Sequence, residues 1–416
     1  MKGKQIVFVL ILIFVTVAGL WGIPELVKTA TYTKARYPFV YFSSIQKKFL
    51  MRESDGRKEP YHDDEGKIYS EKEYDSSLPL LNYRQLTVNG EMPEKIDSLV
   101  LDPREIRVKQ MTFRYSPSEK NTPETGLYIM YESLPKKAKL ESPGDVFRLK
   151  ESIEFIDAES NTVNAEKSEL FQSALLKAGF VFPAQWTYGN LSIRKPYDEG
   201  YFSLDAEGKL FHVKMVNGRP YVRNTQIALL AEPAFFSMLE VADKRFYGFL
   251  FDKKGNSYIL EADDGKYKPV QLDIAPFDID RDEIMIMGNL MYWTVSVQSD
   301  SGKNIYALET ESLKQLRSTF LEAPANRWHN FASWLFPVYL DFKATNTEYI
   351  APNLHFTHFH ALTANLISAI IAIFAFGNVK MGRRIFNSIY SLVFGIAGLA
   401  SLFFVPFFEK IRIKDN

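Results

Sequence analysis

The 416-residue chain contains no cysteine. Disulfides, zinc knuckles, iron–sulfur clusters, thiol catalysis, covalent haem attachment and lipoprotein acylation are therefore excluded together. Net charge is also missing, with 50 Lys and Arg against 50 Asp and Glu, so no basic field draws the chain to nucleic acid. Catalytic spacings are sparse in the same way. The sequence has no G-x-S-x-G, H-E-x-x-H, G-x-x-x-x-G-K-[ST] or G-x-G-x-x-G, which argues against the hydrolase, zinc-protease, P-loop and dinucleotide classes those motifs mark. Paired carboxylates of the glycosidase kind leave no spacing to recognise, so glycan hydrolysis stays open. The balance favours a non-enzymatic protein.

What the chain does have is apolar length at its two ends. Ile6 to Ile23 runs without a charge behind Met-Lys-Gly-Lys, and two further apolar runs span Phe359 to Val379 and Ile385 to Phe408. Each is of the length needed to cross a ~30 Å hydrocarbon core at ~1.5 Å per residue. The first run lacks an A-x-A-like site close behind it, so it reads as an uncleaved anchor rather than a signal peptide. The other two, joined by the basic turn Lys380 to Arg384, read as a helical hairpin. Three transmembrane helices follow as the expectation, with the termini on opposite sides of the membrane. Loop charges divide on orientation. Lys2, Lys4 and the 380–384 turn favour a cytoplasmic N-terminus, whereas Lys28, Lys34, Arg36 and the tail residues Lys410, Arg412 and Lys414 pull the other way. The basic start before an apolar run, the usual form of an export signal, places the long middle segment outside. Asn365, Thr363 and Ser368 in the second span favour a helix partner over lipid, and Ser391 with Gly395, four apart, leave room for close helix contact. Asn365, Ser391 and Gly395 are accordingly the candidate contacts to another membrane protein.

The middle of the chain repeats. DAEGKLFHVKMVNGRP from Asp205, DKKGNSYILEADDGKY from Asp252 and SDSGKNIYALETESLK from Ser299 align with their glycines at Gly208, Gly255 and Gly302, 47 residues apart each time. A second turn recurs in register as Asn217-Gly218, Asp264-Gly265 and Glu311-Ser312. Asn-Gly and Asp-Gly reach the positive φ that two-residue hairpins require. Strand-like runs at Gly200–Leu204, Phe246–Phe251 and Met291–Val297 precede the first turn, with further ones at 236–241 and 283–287. Four strands in about 47 residues matches a β-propeller blade; a tandem meander or sandwich would share the same turn chemistry. Three copies are plain, whereas a closed ring needs at least four. A faint copy upstream, IDAESNTV around Asn161, gives way to a helix over Ala165–Ala178 that stops at Gly179.

The expected fold is therefore a mainly β soluble domain of tandem four-stranded repeats, β-propeller-like, with three transmembrane helices. The expected domains are an anchor at 1–23, a mixed α+β region at 24–140, the β-repeat domain at 141–354 and the helical hairpin with its tail at 355–416. Strands are expected at Ile106–Tyr115 and Leu127–Glu132 with a polar loop between them. Ser70 and Glu73 have capping-box spacing, and Pro79 keeps any helix after it short or broken.

Two constellations could carry chemistry. His355, His358 and His360 in HFTHFH precede the second span, and clustered imidazoles at a membrane face could receive or pass on a metal ion. Their spacing opposes this, because neither a helix nor a strand points all three one way. Imidazole also sits comfortably at headgroup level. Asp278, Asp280, Asp282 and Glu283 offer oxygens to calcium, but they lack the loop glycine and distal Glu of an EF-hand and read better as a solvated loop. No cofactor is indicated.

PFVYFSSIQKKFLMRE from Pro38, YHDDEGKIYSEKEYDSSLPLLNYRQL from Tyr61 and GYFSLDAEGKLFHVKM from Gly200 resemble a bacterial membrane-anchored family known only as domain of unknown function 4857. The resemblance covers nearly the whole chain. It implies a bacterial envelope setting and brings no activity and no site residues. With the sequence features it gives the leading expectation, an inner-membrane protein with a periplasmic β-repeat domain that serves as accessory or scaffold subunit of a membrane complex such as a transporter permease. The alternatives are metal handling through His355, His358 and His360, and a membrane-tethered protein that binds or hydrolyses glycans.

Overall fold

The computed structural model describes residues 2–32, 36–53, 60–123, 125–136, 139–263, 265–323, 326–342 and 346–414. Asp264, of the second repeat's hairpin turn, lies outside them. The chain forms two compact units, one from Met1–Arg36 with Pro324–Asn416 and one from Tyr37–Ala323.

Helix α1 (Lys2–Thr31) opens the first unit. Its segment Ile6–Thr31 is 26 residues long and apolar enough to cross a membrane. Outward-facing Ile6, Leu10 and Phe14 are exposed, as a lipid-facing helix requires.

The second unit begins with an antiparallel sheet of β1 (Phe39–Phe42), β2 (Phe49–Arg52) and β3 (Tyr61–Asp63). Helix α2 (Glu71–Ser76) starts at the expected capping box, with both halves of the Ser70–Glu73 exchange formed. Past Pro79 the chain makes α3 (Tyr83–Asn89) and a small hairpin, β4 (Lys95–Ile96) and β5 (Leu99–Val100). The strand expected from Ile106 begins only at Met111. Asp102 accepts the N–H of Arg104 at 2.8 Å and Pro103 takes the first helical position, so 103–109 becomes α4 (Pro103–Lys109) before β6 (Met111–Tyr115). The polar 116–126 connection holds a short α5 (Pro117–Asn121). Leu127–Glu132 is not a strand either; Tyr128 and Glu132 make isolated bridges to Phe147 and Met215. A hairpin, β7 (Asp145–Leu149) with β8 (Ile153–Asp157), leads into α6 (Ala165–Lys177), which Gly179 ends at φ 86° as expected.

Three antiparallel sheets follow, and each repeat fills one. The first is β9 (Trp186–Gly189), β10 (Tyr201–Leu204), β11 (Leu210–Val216) and β12 (Arg219–Asn224). The second is β13 (Pro233–Met238), β14 (Phe246–Asp252), β15 (Ser257–Asp263) and β16 (Lys266–Gln271). The third is β17 (Glu283–Gly288), β18 (Tyr292–Ser299), β19 (Gly302–Glu309) and β20 (Gln315–Glu322), extended by β6 at its β17 edge. Gly208, Gly255 and Gly302 all stand at the hairpin between the second and third strands. None of the described sheets closes into a barrel. The core holds the sheets together: Phe113 of β6 stacks on Phe249 of β14 at 4.0 Å, and Phe235, Phe251, Trp293 and Val295 complete the cluster. Each such aromatic removes enough apolar surface from water to contribute roughly 2–3 kcal/mol.

The chain then returns to the first unit with α7 (Arg327–Leu335), hairpin strands β21 (Val338–Asp341) and β22 (Asn353–Phe356), a 3₁₀ turn at Phe359–Ala361, α8 (Leu362–Ala375) and α9 (Met381–Lys414). Among the described residues two helical segments, not the three expected, are by length and composition alone sufficient to cross a membrane unaided, α1 and Met381–Val405 of α9. The second apolar run falls short because its helix stops at Ala375, where Phe376 leaves helical geometry ahead of the Gly377-Asn378 turn.

Candidate functional site

The recurring turn is built by a buried carboxylate. Asp205 Oδ1 accepts the N–H of Glu207 and Lys209 at 2.9 and 2.8 Å, and Asp252 Oδ1 accepts those of Lys254 and Asn256 at 2.9 and 3.0 Å. Both aspartates are fully buried. Gly255, at φ 82°, then lets backbone meet backbone: a Cβ there would stand 2.0 Å from the carbonyl oxygen of Phe277. That contact seats the 276–280 loop beside the turn.

Turn and loop together wall an open cleft of about 660 Å³, floored by Trp186 at the start of β9 and by Pro233 and Ala234 at the start of β13. Phe277 and Ile279 point into the core while Asp278 and Asp280 face the cleft and solvent. The acidic run is thus a folded turn. Asp278 Oδ1 accepts the Asp280 N–H at 2.9 Å and Asp282 Oδ2 accepts the Asp278 N–H at 3.0 Å. Three lysines bring the opposite charge. Lys120 pairs with Asp280 at 2.6 Å and Lys253 with Glu232 at 2.7 Å, while Lys254 is exposed at the rim. A second recess of about 530 Å³ adjoins, sharing Gln185 and Pro233 and lined by the Glu207-Gly208 turn. A flat aromatic beside mixed charges and amide groups suits a polar ligand with one apolar face, such as a peptide segment or a sugar.

The same unit holds two buried polar networks outside the cleft, and sequence reasoning passed over both. His212 on β11 is buried, stacked 4.5 Å from Phe202 and ringed by Tyr221, Tyr247 and Tyr267. Its Nε2 bonds the Glu199 carbonyl oxygen, which can only accept, so Nε2 carries the proton and Nδ1 accepts the Tyr267 hydroxyl at 2.8 Å. Burial pushes this imidazole down to about 3. The second network is an ion triad: the Lys195 ammonium, with 2% side-chain exposure, bonds the Asp198 carboxylate and stands 3.1 Å from Glu240. Glu240 also accepts the Asn190 amide at 2.8 Å and the Glu199 N–H at 2.7 Å. Burial nonetheless raises its carboxyl above the usual range, against the pull of Lys195. Both networks are enclosed and pin the 190–200 segment to the first two repeat sheets.

The three histidines of the sequence motif do not converge. His355, on β22, pairs with Asp341 at 3.2 Å and stacks on Tyr339 at 4.7 Å. His358 and His360 lie beyond it, their rings stacked at 5.1 Å, with Trp334 against His360 at 4.5 Å. Among the described residues no three His, Asp or Glu side chains stand close enough to hold one metal ion. Asn365, Ser391 and Gly395 do come together. The interhelical bond expected of Asn365 is made within this chain, its Nδ2 donating to the Leu392 carbonyl at 3.0 Å beside Gly395, and Ser391 is buried one turn before.

One more copy of the turn lies upstream of the repeats. In Asp63-Asp64-Glu65-Gly66-Lys67, Asp63 Oδ1 accepts the N–H of Glu65 and Lys67 at 3.0 and 2.9 Å. Its Oδ2 accepts the Tyr69 hydroxyl at 3.0 Å, as Asp252 Oδ2 accepts that of Tyr258 at 3.1 Å. The signal was the shared D-x-x-G-x-x-Y spacing.

Comparison with known proteins adds little chemistry. Similar solved structures include the dihydro-heme d1 dehydrogenase NirN in complex with DHE, 10% identical, with 66% of this chain and 67% of that chain covered and a TM-score of 0.22. Another is PorZ, a bacterial surface component of the type-IX secretion system of Porphyromonas gingivalis, 9% identical, with a TM-score of 0.21. That match covers 69% of this chain but only 32% of PorZ. Superpositions this loose carry no argument about fold or activity. No curated protein matches the sequence. The profile described as "Domain of unknown function (DUF4857)" matches residues 39–308, well over half the chain, and the protein belongs to that family.

Proposed function

We propose that the protein is a non-enzymatic inner-membrane subunit whose β-rich unit works in the periplasm as a propeller-like docking module for a membrane complex, such as a transporter. The observation that carries this reading is the open cleft at the ends of the repeat sheets, built by the turns that recur with the repeat and lined by Trp186, Lys254 and Asp278. Apolar α1 and α9 supply the membrane attachment. Propeller-like organisation is supported by the three successive four-stranded meanders and by carboxylate-capped turns at Asp63 and Asp157 upstream, where Asp157 Oδ1 accepts the Ser160 N–H at 2.8 Å. The test is affinity capture from native membranes in mild detergent, with mass spectrometry and elemental analysis of one eluate. A stoichiometric membrane partner that is lost in Trp186→Ala/Lys254→Glu supports docking through the cleft. Equal recovery with both proteins counts against it, and a metal in place of a partner would favour metal handling.

A second reading, glycan binding, is favoured by the juxtaposition of the Trp186 ring with Gln185 and the Asp278 and Asp280 carboxylates in that cleft. It predicts quenching or a shift of Trp186 fluorescence by a cell-envelope glycan fragment.

A further inference from the structure

Helix α9 is two helices joined at Gly395, whose φ of 58° and ψ of −138° lie outside helical geometry. The direction of each half can be followed against its neighbours. Arg384 Nε donates to Ile373 O, Ser388 Oγ to Ala369 O, and Asn365 Nδ2 to Leu392 O, so the first half climbs antiparallel to α8. Against α1 it runs parallel. Arg383 stands over the Phe8 ring at 5.5 Å, the Tyr390 hydroxyl meets Thr16 Oγ1 at 2.6 Å, and Ile396 packs with Ile23 and Val27 around Trp328.

Past Gly395 the order inverts. Ala397 Cβ lies 3.2 Å from the Cβ position of Gly19, Thr16 Oγ1 donates to Ser401 Oγ at 3.0 Å, and Leu402 and Val405 pack with Leu12. Thr16 therefore touches both Tyr390 and Ser401. A Cβ on Gly398 would stand 3.1 Å from the Tyr390 carbonyl oxygen, although eight residues of unbroken helix separate two backbones by about 12 Å. The helix folds back on itself.

We infer that the chain crosses the bilayer four times, by α1, α8 and the two halves of α9, so that both chain ends lie at the same face. This inference rests on the membrane reading of the previous section. Each of α8 and the first half of α9 is only 14 residues, about 21 Å, and the first half of α9 runs beside the Phe8–Ile23 stretch of α1, about 22 Å long. Local thinning of the bilayer accommodates such spans. The reversal also reduces the division among the loop charges: it turns the chain back toward the end that holds the Lys380–Arg384 turn and the start of α1, with Lys28 left near the other end of α1, and that basic turn suits anionic headgroups. The opposite end carries exposed Trp334, Phe356 and Phe359 and the stacked His358 and His360, the aromatic composition of a headgroup belt.

Absence of native cysteine makes the test direct. Single variants Asn378→Cys, Lys414→Cys and Tyr349→Cys are treated with a membrane-impermeant maleimide on intact spheroplasts and after permeabilisation. Four crossings predict that Tyr349→Cys labels from outside and that Asn378→Cys and Lys414→Cys label only after permeabilisation. Lys414→Cys labelling from outside alongside Tyr349→Cys would overturn the reversal. Asn378→Cys and Lys414→Cys labelling from outside with Tyr349→Cys protected would keep four crossings and overturn the orientation. Release of all three proteins by alkaline carbonate would instead overturn the membrane reading itself. For the headgroup contact, phosphatidylglycerol added in detergent should raise the melting temperature where phosphatidylcholine does not, and Lys380→Gln/Arg383→Gln should lose that shift. Equal shifts with both lipids would overturn the contact.

Discussion

His212 shows how one buried side chain ties stability to pH. Its folded-state pKa is depressed to about 3 from an ordinary 6.5, so between those values the unfolded chain binds the proton and the folded one does not. The stabilisation is complete above pH 6.5 and is lost as pH falls toward 3, by about 1.4 kcal/mol per unit, or about 2 kcal/mol by pH 5. Urea unfolding of the Tyr37–Ala323 unit between pH 5 and 7.5 should show this slope, and His212→Gln should be less stable at pH 7.5 but nearly flat. An unchanged slope in the variant would assign the acid limb to other groups. Glu240 has the opposite sign, since its raised pKa removes stability as pH rises from the ordinary carboxyl range. Gly395 is the corresponding point in the helical unit. A Cβ there would stand 2.1 Å from Asn365 Oδ1, at a φ and ψ that only glycine adopts without strain. Gly395→Ala should cost about 2–3 kcal/mol, read as a lower melting temperature in detergent. Asn365→Leu should cost about 1–3 kcal/mol by leaving the Leu392 and Val393 carbonyls without a donor.

Among the elements, the capped hairpin is the unit from which the β-rich part is assembled. Asp252 holds the β14–β15 turn through four bonds, from the Lys254 and Asn256 N–H groups, the Asn256 amide and the Tyr258 hydroxyl. Asp252→Ala should lower stability by about 2–4 kcal/mol, since it strands buried donors, and should speed hydrogen exchange in β14 and β15 more than in β18 and β19. Uniform acceleration would make the repeats one cooperative block. The hairpins were legible because positive φ selects Gly and Asn, and Gly208, Gly255 and Asn217 carry that requirement openly. The alternation of Glu283–Met287 marked a strand with one face more deeply buried, whereas Phe246–Phe251 is a short apolar run whose strand is buried on both faces. Ile106–Tyr115 misled because its apolar residues fit both periods, and the Asp102-Pro103 start that decides for helix lies outside the run. Trp186, Phe277 and the lysines of the cleft gave no local signal. They are brought together by sheet packing across more than 60 residues of sequence, a distance over which composition carries no information.

At the scale of the whole molecule, the two units have separate cores. The Tyr37–Ala323 unit buries its own aromatic clusters around Phe113, Phe155 and Phe202. Expressed alone, residues 37–323 should be soluble and monomeric and should keep the His212 pH slope; aggregation with loss of near-ultraviolet dichroism would show that it needs the helices to fold. The apolar ends were legible as apolar helices from length and charge alone, two of them long enough to cross a membrane, whereas the reversal at Gly395 was not, because one glycine inside an apolar run reads equally well as a packing contact. The central claim, a β-rich module held at the membrane by its terminal helices, is tested most directly by alkaline carbonate extraction of native membranes. The account predicts that the full chain stays in the membrane pellet while residues 37–323 appear in the supernatant; release of the full chain into the supernatant would contradict it.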